Sequence, residues 1–278
     1  MTLLASNIAW TPSQDAEVAA RLRAHGFTGI EIALTRDWPE LARADAAAVR
    51  AFAARWRDEG LPIAAAQALL FGRPDLLVFG SGETRRQTID YLRLVFDLCA
   101  AAGARAMVFG SPRNRRLDHC PAADARVLAV DFFGALAAEA EARQLVLVIE
   151  PNPPAYGADF VTTAAEAVEL VRAVDRPGFR LHLDLGCLRL AGEPIAQTVI
   201  AAAPLVAHAH ASAPHLAPLA DGGADDGLDA FLSALSGSGY AGAVSLEMRR
   251  NDGHDLSPLD RSAARLAHAL RRAAAGTR

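Results

Sequence analysis

Short runs rich in Val, Ile and Leu alternate along the whole chain with longer segments whose apolar residues recur at three- and four-residue intervals. The short runs end near Ile8, Ala33, Gln67, Gly110, Glu150, Asp184, His210 and Glu247, and read as eight strands. Helical segments are predicted between them over about 14–25, 44–59, 84–102, 123–143, 163–174, 194–202, 226–236 and 258–274. Start signals agree: Thr163 stands three residues before Glu166 in the spacing of a capping box, and Ser13, Ser81 and Ser257 sit near other helix starts. Strict β/α alternation implies parallel strands covered by helices, and eight such units predict an α/β protein built as a single (β/α)8 TIM barrel over residues 1–278. A doubly wound sheet would usually carry a Gly-rich phosphate turn after its first strand, whereas Ser6-Asn7-Ile8-Ala9-Trp10 contains no glycine. No Gly-, Ser- or Pro-rich linker divides the chain.

Composition narrows the chemistry. With 52% hydrophobic and 22% charged residues in 278, the chain can fill a large core and is not disordered. All 28 basic residues are arginine, which excludes a Schiff-base aldolase, a lysine-anchored pyridoxal enzyme and a Walker-type P-loop. A net charge of −4 disfavours nucleic acid and favours a small-molecule partner. Cys99, Cys120 and Cys187 form no CxxC and suit a reducing cytoplasm. The Met1-Thr2-Leu3-Leu4 start has no basic flank, so no signal peptide is expected, and no apolar run approaches the roughly 20 residues of a membrane span.

In a parallel barrel the C-terminal strand ends form the active-site mouth. Four consecutive runs finish on hard ligands: Leu145–Ile149 on Glu150, Phe179–Leu183 on Asp184, Leu205–Ala209 on His210 and Ala243–Leu246 on Glu247. Three carboxylates and an imidazole at one height are costly near a core unless a cation lies among them. Such a set suits one divalent ion, Mn2+ or Mg2+ foremost with Co2+ or Zn2+ also suitable, and leaves about two positions open. The alternative for each acid is an ion pair with a nearby arginine, yet no arginine adjoins these strand ends on their inward face in sequence.

These residues resemble the xylose isomerase-like TIM barrels of the sugar isomerase and epimerase type, with a ketose 3-epimerase-like metal site. The resemblance covers nearly the whole chain through Gly29-Ile30-Glu31, Ile149-Glu150-Pro151-Asn152, Leu183-Asp184-Leu185-Gly186, His208-Ala209-His210 and Ser245-Leu246-Glu247. It implies that Glu150, Asp184, His210 and Glu247 bind one ion, usually Mn2+, and that Glu150 and Glu247 move protons on opposite faces of a sugar. An ion bridged by a carbonyl and its neighbouring hydroxyl acidifies the C–H between them and stabilises the enediolate. The chain departs from that family at three positions: Cys187 stands where a histidine is common, Tyr156 where a glutamate is common, and Leu216, beside His215, where an arginine is common.

Other positions near the mouth are candidates for substrate contact. Glu31 alternates with Ile30 and Ile32 and points inward, as a substrate contact or a buried, arginine-paired acid. Gln67 ends the third strand; Asn152, Tyr156, Cys187 and His215 follow later strands. Cys187 has no basic neighbour to make it a thiolate. His182 and His208 share inward faces with Asp184 and His210 one layer lower, and read as core histidines. Arg113 belongs to the basic loop 111–116, either an anion clamp or a solvated loop. Loops seven and eight, with Asp221, Asp225 and Asp226 against Arg249 and Arg250, leave a substrate phosphate undecided. Trp10, Trp38, Phe71 and Tyr156 are placed to stack on a sugar or to pack in loops.

Proton abstraction beside a carbonyl by a metal-dependent sugar isomerase or epimerase is the first functional expectation. The same site could instead eliminate water or an aglycone from a keto-sugar or keto-glycoside. An apurinic-site endonuclease would need more histidines and a basic groove, and a non-catalytic binding protein would need no metal. A homodimer or homotetramer is compatible with the sequence.

Overall fold

The computed structural model describes residues 1–118, 120–223, 226–251 and 253–276. Asp225 of the seventh loop lies outside the described residues. The order is β1 (Thr2–Ser6), α1 (Asp15–Ala24), β2 (Gly29–Ala33), α2 (Ala46–Asp58), β3 (Ile63–Gln67), α3 (Gly82–Ala102), β4 (Ala106–Phe109), α4 (Ala122–Ala142), β5 (Val146–Ile149) and α5 (Ala164–Val174). It continues with β6 (Phe179–Asp184), α6 (Leu185–Leu190), α7 (Ile195–Ala202), β7 (Val206–Ser212), α8 (Leu228–Gly237), β8 (Ala243–Glu247) and α9 (Ser257–Gly276). The strands close in sequence order into a parallel barrel, with β8 pairing back onto β1. This is the (β/α)8 barrel of the sequence reading.

Alternation along each strand separates an outward apolar set from an inward set that carries the polar groups. On β2, Ile30 and Ile32 join the apolar core, and Glu31 between them is as deeply buried. Phe133 of α4 stacks on Phe179 of β6 at 5.0 Å and meets Phe109 of β4 edge-on at 5.2 Å, tying that helix to the barrel wall. Each such buried ring contributes roughly 1.5–3 kcal/mol by burial.

The boundaries differ from the sequence expectation in instructive ways. Glu150 lies one residue past β5, β1 stops at Ser6 before a short 3-10 turn, and β7 runs on to Ser212. Thr163 caps α5 by accepting from the Glu166 amide, as expected, and Ser81 does the same for the Thr84 amide at the start of α3. Ahead of α1, Thr11 and Gln14 cap the short 3-10 turn Pro12–Gln14 that leads into the helix, and at the start of α9 the Asp255 carboxylate accepts from the Ser257 amide. The extra helix α6 follows β6 without a loop; its six residues are too few to show a period against an already apolar run.

Three of the four aromatic candidates are structural or solvent-facing. Trp10 is buried and donates to Asp15, Trp38 packs edge-on against Phe52 at 5.4 Å, and Phe71 is 71% exposed away from the mouth cavity. Among the described residues no helix is long and apolar enough to cross a membrane.

Candidate metal centre

Strand register brings the four strand-end groups together. Asp184 stands opposite His210 between β6 and β7, and Ser212 stands opposite Glu247 between β7 and β8. His210 Nδ1 lies 3.2 Å from Glu247 Oε2 and 3.9 Å from Asp184 Oδ2. Asp184 is held at both oxygens: Oδ1 accepts from the Cys187 amide at 2.5 Å as the N-cap of α6, and Oδ2 accepts from Ser212 Oγ at 2.5 Å. Asn152 Nδ2 donates to Glu150 Oε2 at 2.8 Å. Glu150, Asn152, Asp184, Cys187 and Glu247 form one end of a cavity of about 370 Å³, within the range of small-molecule sites, with His210 and Ser212 buried behind them. In a larger hollow of about 530 Å³ between Pro12 and Glu59, Asp15 and Asp37 are paired with Arg36 and Glu59 with Arg23.

The electrostatics of this set are those of an unneutralised carboxylate cluster. Burial, then Asp184 and Glu247, push the Glu150 carboxyl up to about 8. Burial and Glu247 likewise raise Asp184. Among the described residues no arginine lies within salt-bridge distance of Glu150, Asp184 or Glu247, so arginine pairing does not account for them. A divalent cation fits the donors present. Bonds of about 2.0–2.2 Å set adjacent to opposite donors about 3–4.2 Å apart, and the separations of 3.2 Å and 3.9 Å fall in that window.

Glu31 is not in the cavity wall. It is 0% exposed, its carboxylate meets His210 Nε2 at 2.9 Å and His208 Nε2 at 3.2 Å, and its partners are histidines rather than the arginine the sequence suggested. The carboxylate reaches His210 from behind, leaving Nδ1 turned toward Asp184 and Glu247, an arrangement that orients a metal-binding imidazole and raises its basicity. Burial opposes a charge on both partners, but their attraction wins: Glu31 falls well below the usual carboxylate range and His210 rises well above the usual imidazole range.

The basic loop also behaves differently from the expectation. Arg113 is exposed and outside the cavity lining, because the turn at Pro112–Arg115 aims it at solvent. Arg115 instead is wholly buried, donating to the carbonyls of Gly110, Glu150, Phe160 and Val161 and to Asn152 Oδ1. Burial lowers it to about 10, so it stays charged near neutrality. Arg115 thus holds the backbone of Glu150 and, through Asn152, its carboxylate. Gly110 is required beside it, since a Cβ there would collide with Glu150 Oε2.

Asn152, Tyr156, Cys187 and His215 line the cavity with Pro112, Leu216 and Arg249. Tyr156 Oη accepts from the His215 amide at 2.8 Å. Cys187 is kept a thiol by burial and by the negative Asp184 and Glu150. Gln67 does not line the cavity: it faces across the barrel and donates to Ser6 Oγ. Asp226 is buried, caps Leu228 and pairs with Arg265, and Asp221 stands near Arg261. Sequence reasoning placed Arg115 only in the basic loop 111–116, as an anion clamp or a solvated residue, and passed over Ser212. Ser212 follows His210 by two residues and so shares its inward face, a signal that was available; Arg115 gave none, because only the fold turns that loop inward.

The sequence signature described as "Xylose isomerase-like TIM barrel" matches residues 19–273. The chain belongs to that family. Among solved structures, L-ribulose 3-epimerase superposes with a TM-score of 0.80 at 19% identity, over 99% of this chain and 97% of that one. The 3-keto-D-glucoside 4-epimerase of E. coli does so at 0.76 and 19%, over 96% and 99%. D-psicose 3-epimerase of Clostridium cellulolyticum H10, solved with D-tagatose, gives 0.79 at 16% over 98% and 99%. No protein of curated function matches the sequence. At these identities the family member shares its fold with the epimerases.

Proposed function

We propose that this barrel is a sugar isomerase or epimerase that holds one divalent ion, Mn2+ foremost, between Glu150, Asp184, His210 and Glu247. The observation carrying this is the convergence of Glu150, Asp184 and Glu247 at the end of a sugar-sized cavity, with the buried His210 imidazole behind them and no arginine partner among the described residues. When bound, the ion supplies Lewis acidity, polarising a carbonyl and its neighbouring hydroxyl so that the C–H between them loses its proton more readily.

The remaining work belongs to the side chains. Glu150 and Glu247 come from β5 and β8, on different sides of the mouth, so one can take a proton from a substrate carbon and the other return one to the opposite face. Asn152 and Arg115 fix the height of Glu150, and Glu31 fixes the tautomer and direction of His210. Tyr156 and His215 form the wall that meets the sugar's remaining hydroxyls. The net charge of −4 and the acidic mouth favour a neutral sugar or sugar derivative over nucleic acid.

One observation supports elimination as a second reading. Burial keeps the Tyr156 phenol protonated, and its oxygen already accepts from the His215 amide, so its proton is free for a leaving oxygen. Incubating the Mn2+-loaded protein with ketoses and 3-keto-glycosides in D2O separates the two. Deuterium in an unchanged skeleton supports isomerisation or epimerisation, and loss of water or an aglycone supports elimination. Neither outcome with any substrate, or a purified protein that takes up no divalent metal, defeats both.

A further inference from the structure

His182 sits one layer below Asp184 on the inward face of β6, paired across the strands with His208. It is wholly buried, and neither ring nitrogen has a hydrogen-bond partner among the described residues. Its neighbours differ, since His208 and His210 both bond to Glu31. An unsatisfied buried imidazole is costly and calls for a partner of another kind. His182 Nε2 stands 3.7 Å from Glu150 Oε1, too far for a hydrogen bond. That distance suits two donors of one ion, which stand about 3–4.2 Å apart for bonds near 2.1 Å. One donor atom each from Glu150, His182, Asp184 and His210 lie within 4.8 Å of one another, so His182 clusters with three of the strand-end groups; the fourth, Glu247, stands outside that set and reaches it through His210 Nδ1 at 3.2 Å.

We infer that His182 is a fifth protein ligand of the ion, giving the centre two imidazole nitrogens instead of one. This rests on the metal reading above and goes beyond it in ligand number and metal preference. A second nitrogen moves the donor set away from Mn2+ and Mg2+ and toward Co2+ and Zn2+. Were five side chains to hold the ion, Glu150 would be the carboxylate best placed to leave it and move a proton, because Asn152 Nδ2 already holds its Oε2 at 2.8 Å.

The test counts nitrogens. In pulsed electron paramagnetic resonance of the full-length protein loaded with Mn2+, two directly bound imidazole nitrogens are expected, falling to one in His182→Leu. His182→Gln, which offers an amide oxygen at similar reach, should also show one nitrogen, and serves if the leucine variant does not fold. Competition titrations should show Co2+ affinity falling roughly 100-fold or more in His182→Leu, above the loss typical of an outer-shell partner, with Mn2+ affinity falling less. One nitrogen in the wild type, or two retained in the variants, overturns the inference while leaving the metal reading standing. A protein that binds no divalent ion overturns both.

Discussion

The two halves of the barrel mouth handle polar strand ends in opposite ways. On the β1–β3 side, polar groups largely satisfy one another: Gln67 donates to Ser6, Asn7 Oδ1 accepts from the Ala33 amide although its Nδ2 has no hydrogen-bond partner among the described residues, and Glu31 is spent on two histidines. On the β5–β8 side, Glu150, Asp184 and Glu247 crowd together with no arginine among the described residues to neutralise them. The satisfied half is a rigid support, and the strained half is where a cation and a substrate have something to gain. Glu31 links the two, reaching from β2 to the back of His210 on β7.

This contrast can be broken at several points. Under the proposed function Glu247→Gln removes a ligand and a proton carrier together, and should lower kcat by about 10²- to 10⁴-fold with the melting temperature little changed, as steady-state kinetics and calorimetry would record. Arg115→Met strips the donors from four carbonyls and Asn152, and should cost at least about 3 kcal/mol of stability by urea unfolding. A loss below 1 kcal/mol would mean that the loop does not depend on it. Glu31→Gln should weaken metal affinity by about 10- to 100-fold without emptying the cavity of its other donors, measured by metal titration.

The pH dependence of the metal-free protein tests the strained half directly. The Glu150 carboxyl is raised from an ordinary 4.5 to about 8, so the unfolded chain ionises it first. Stability of the chelated protein should therefore fall as pH rises through that window and level off above it, and the raised His210 acts in the same sense. Because a bound ion favours the ionised carboxylate, the gap in melting temperature between metal-loaded and chelated protein should widen from pH 5 to pH 8. A constant gap would count against a metal at Glu150. The smallest effect is expected for Arg113→Ala, which should stay within about 0.5 kcal/mol and about twofold in KM, since Arg113 faces solvent.

The barrel was legible because a period of two on eight buried strands and helical spacing between them are properties of local sequence. Glu150, Asp184, His210 and Glu247 were legible for the same reason, since strand ends mark the mouth. Which inward groups would find partners was not. Glu31 and His182 follow the same alternation rule, yet one is doubly bonded and the other has no hydrogen-bond partner among the described residues, a difference set by β2 and β7 meeting across the barrel interior. Arg113 and Arg115 are two residues apart in one basic loop, and only the turn between them decides that one is solvated and the other clamps Glu150.

Local sequence determined the elements, their order and the four metal-capable side chains at the strand ends, because hydrophobic period and residue chemistry act at short range. Tertiary structure decided which charges are neutralised, which imidazole lacks a hydrogen-bond partner and which arginine is buried, because those depend on distances between strands far apart in the chain.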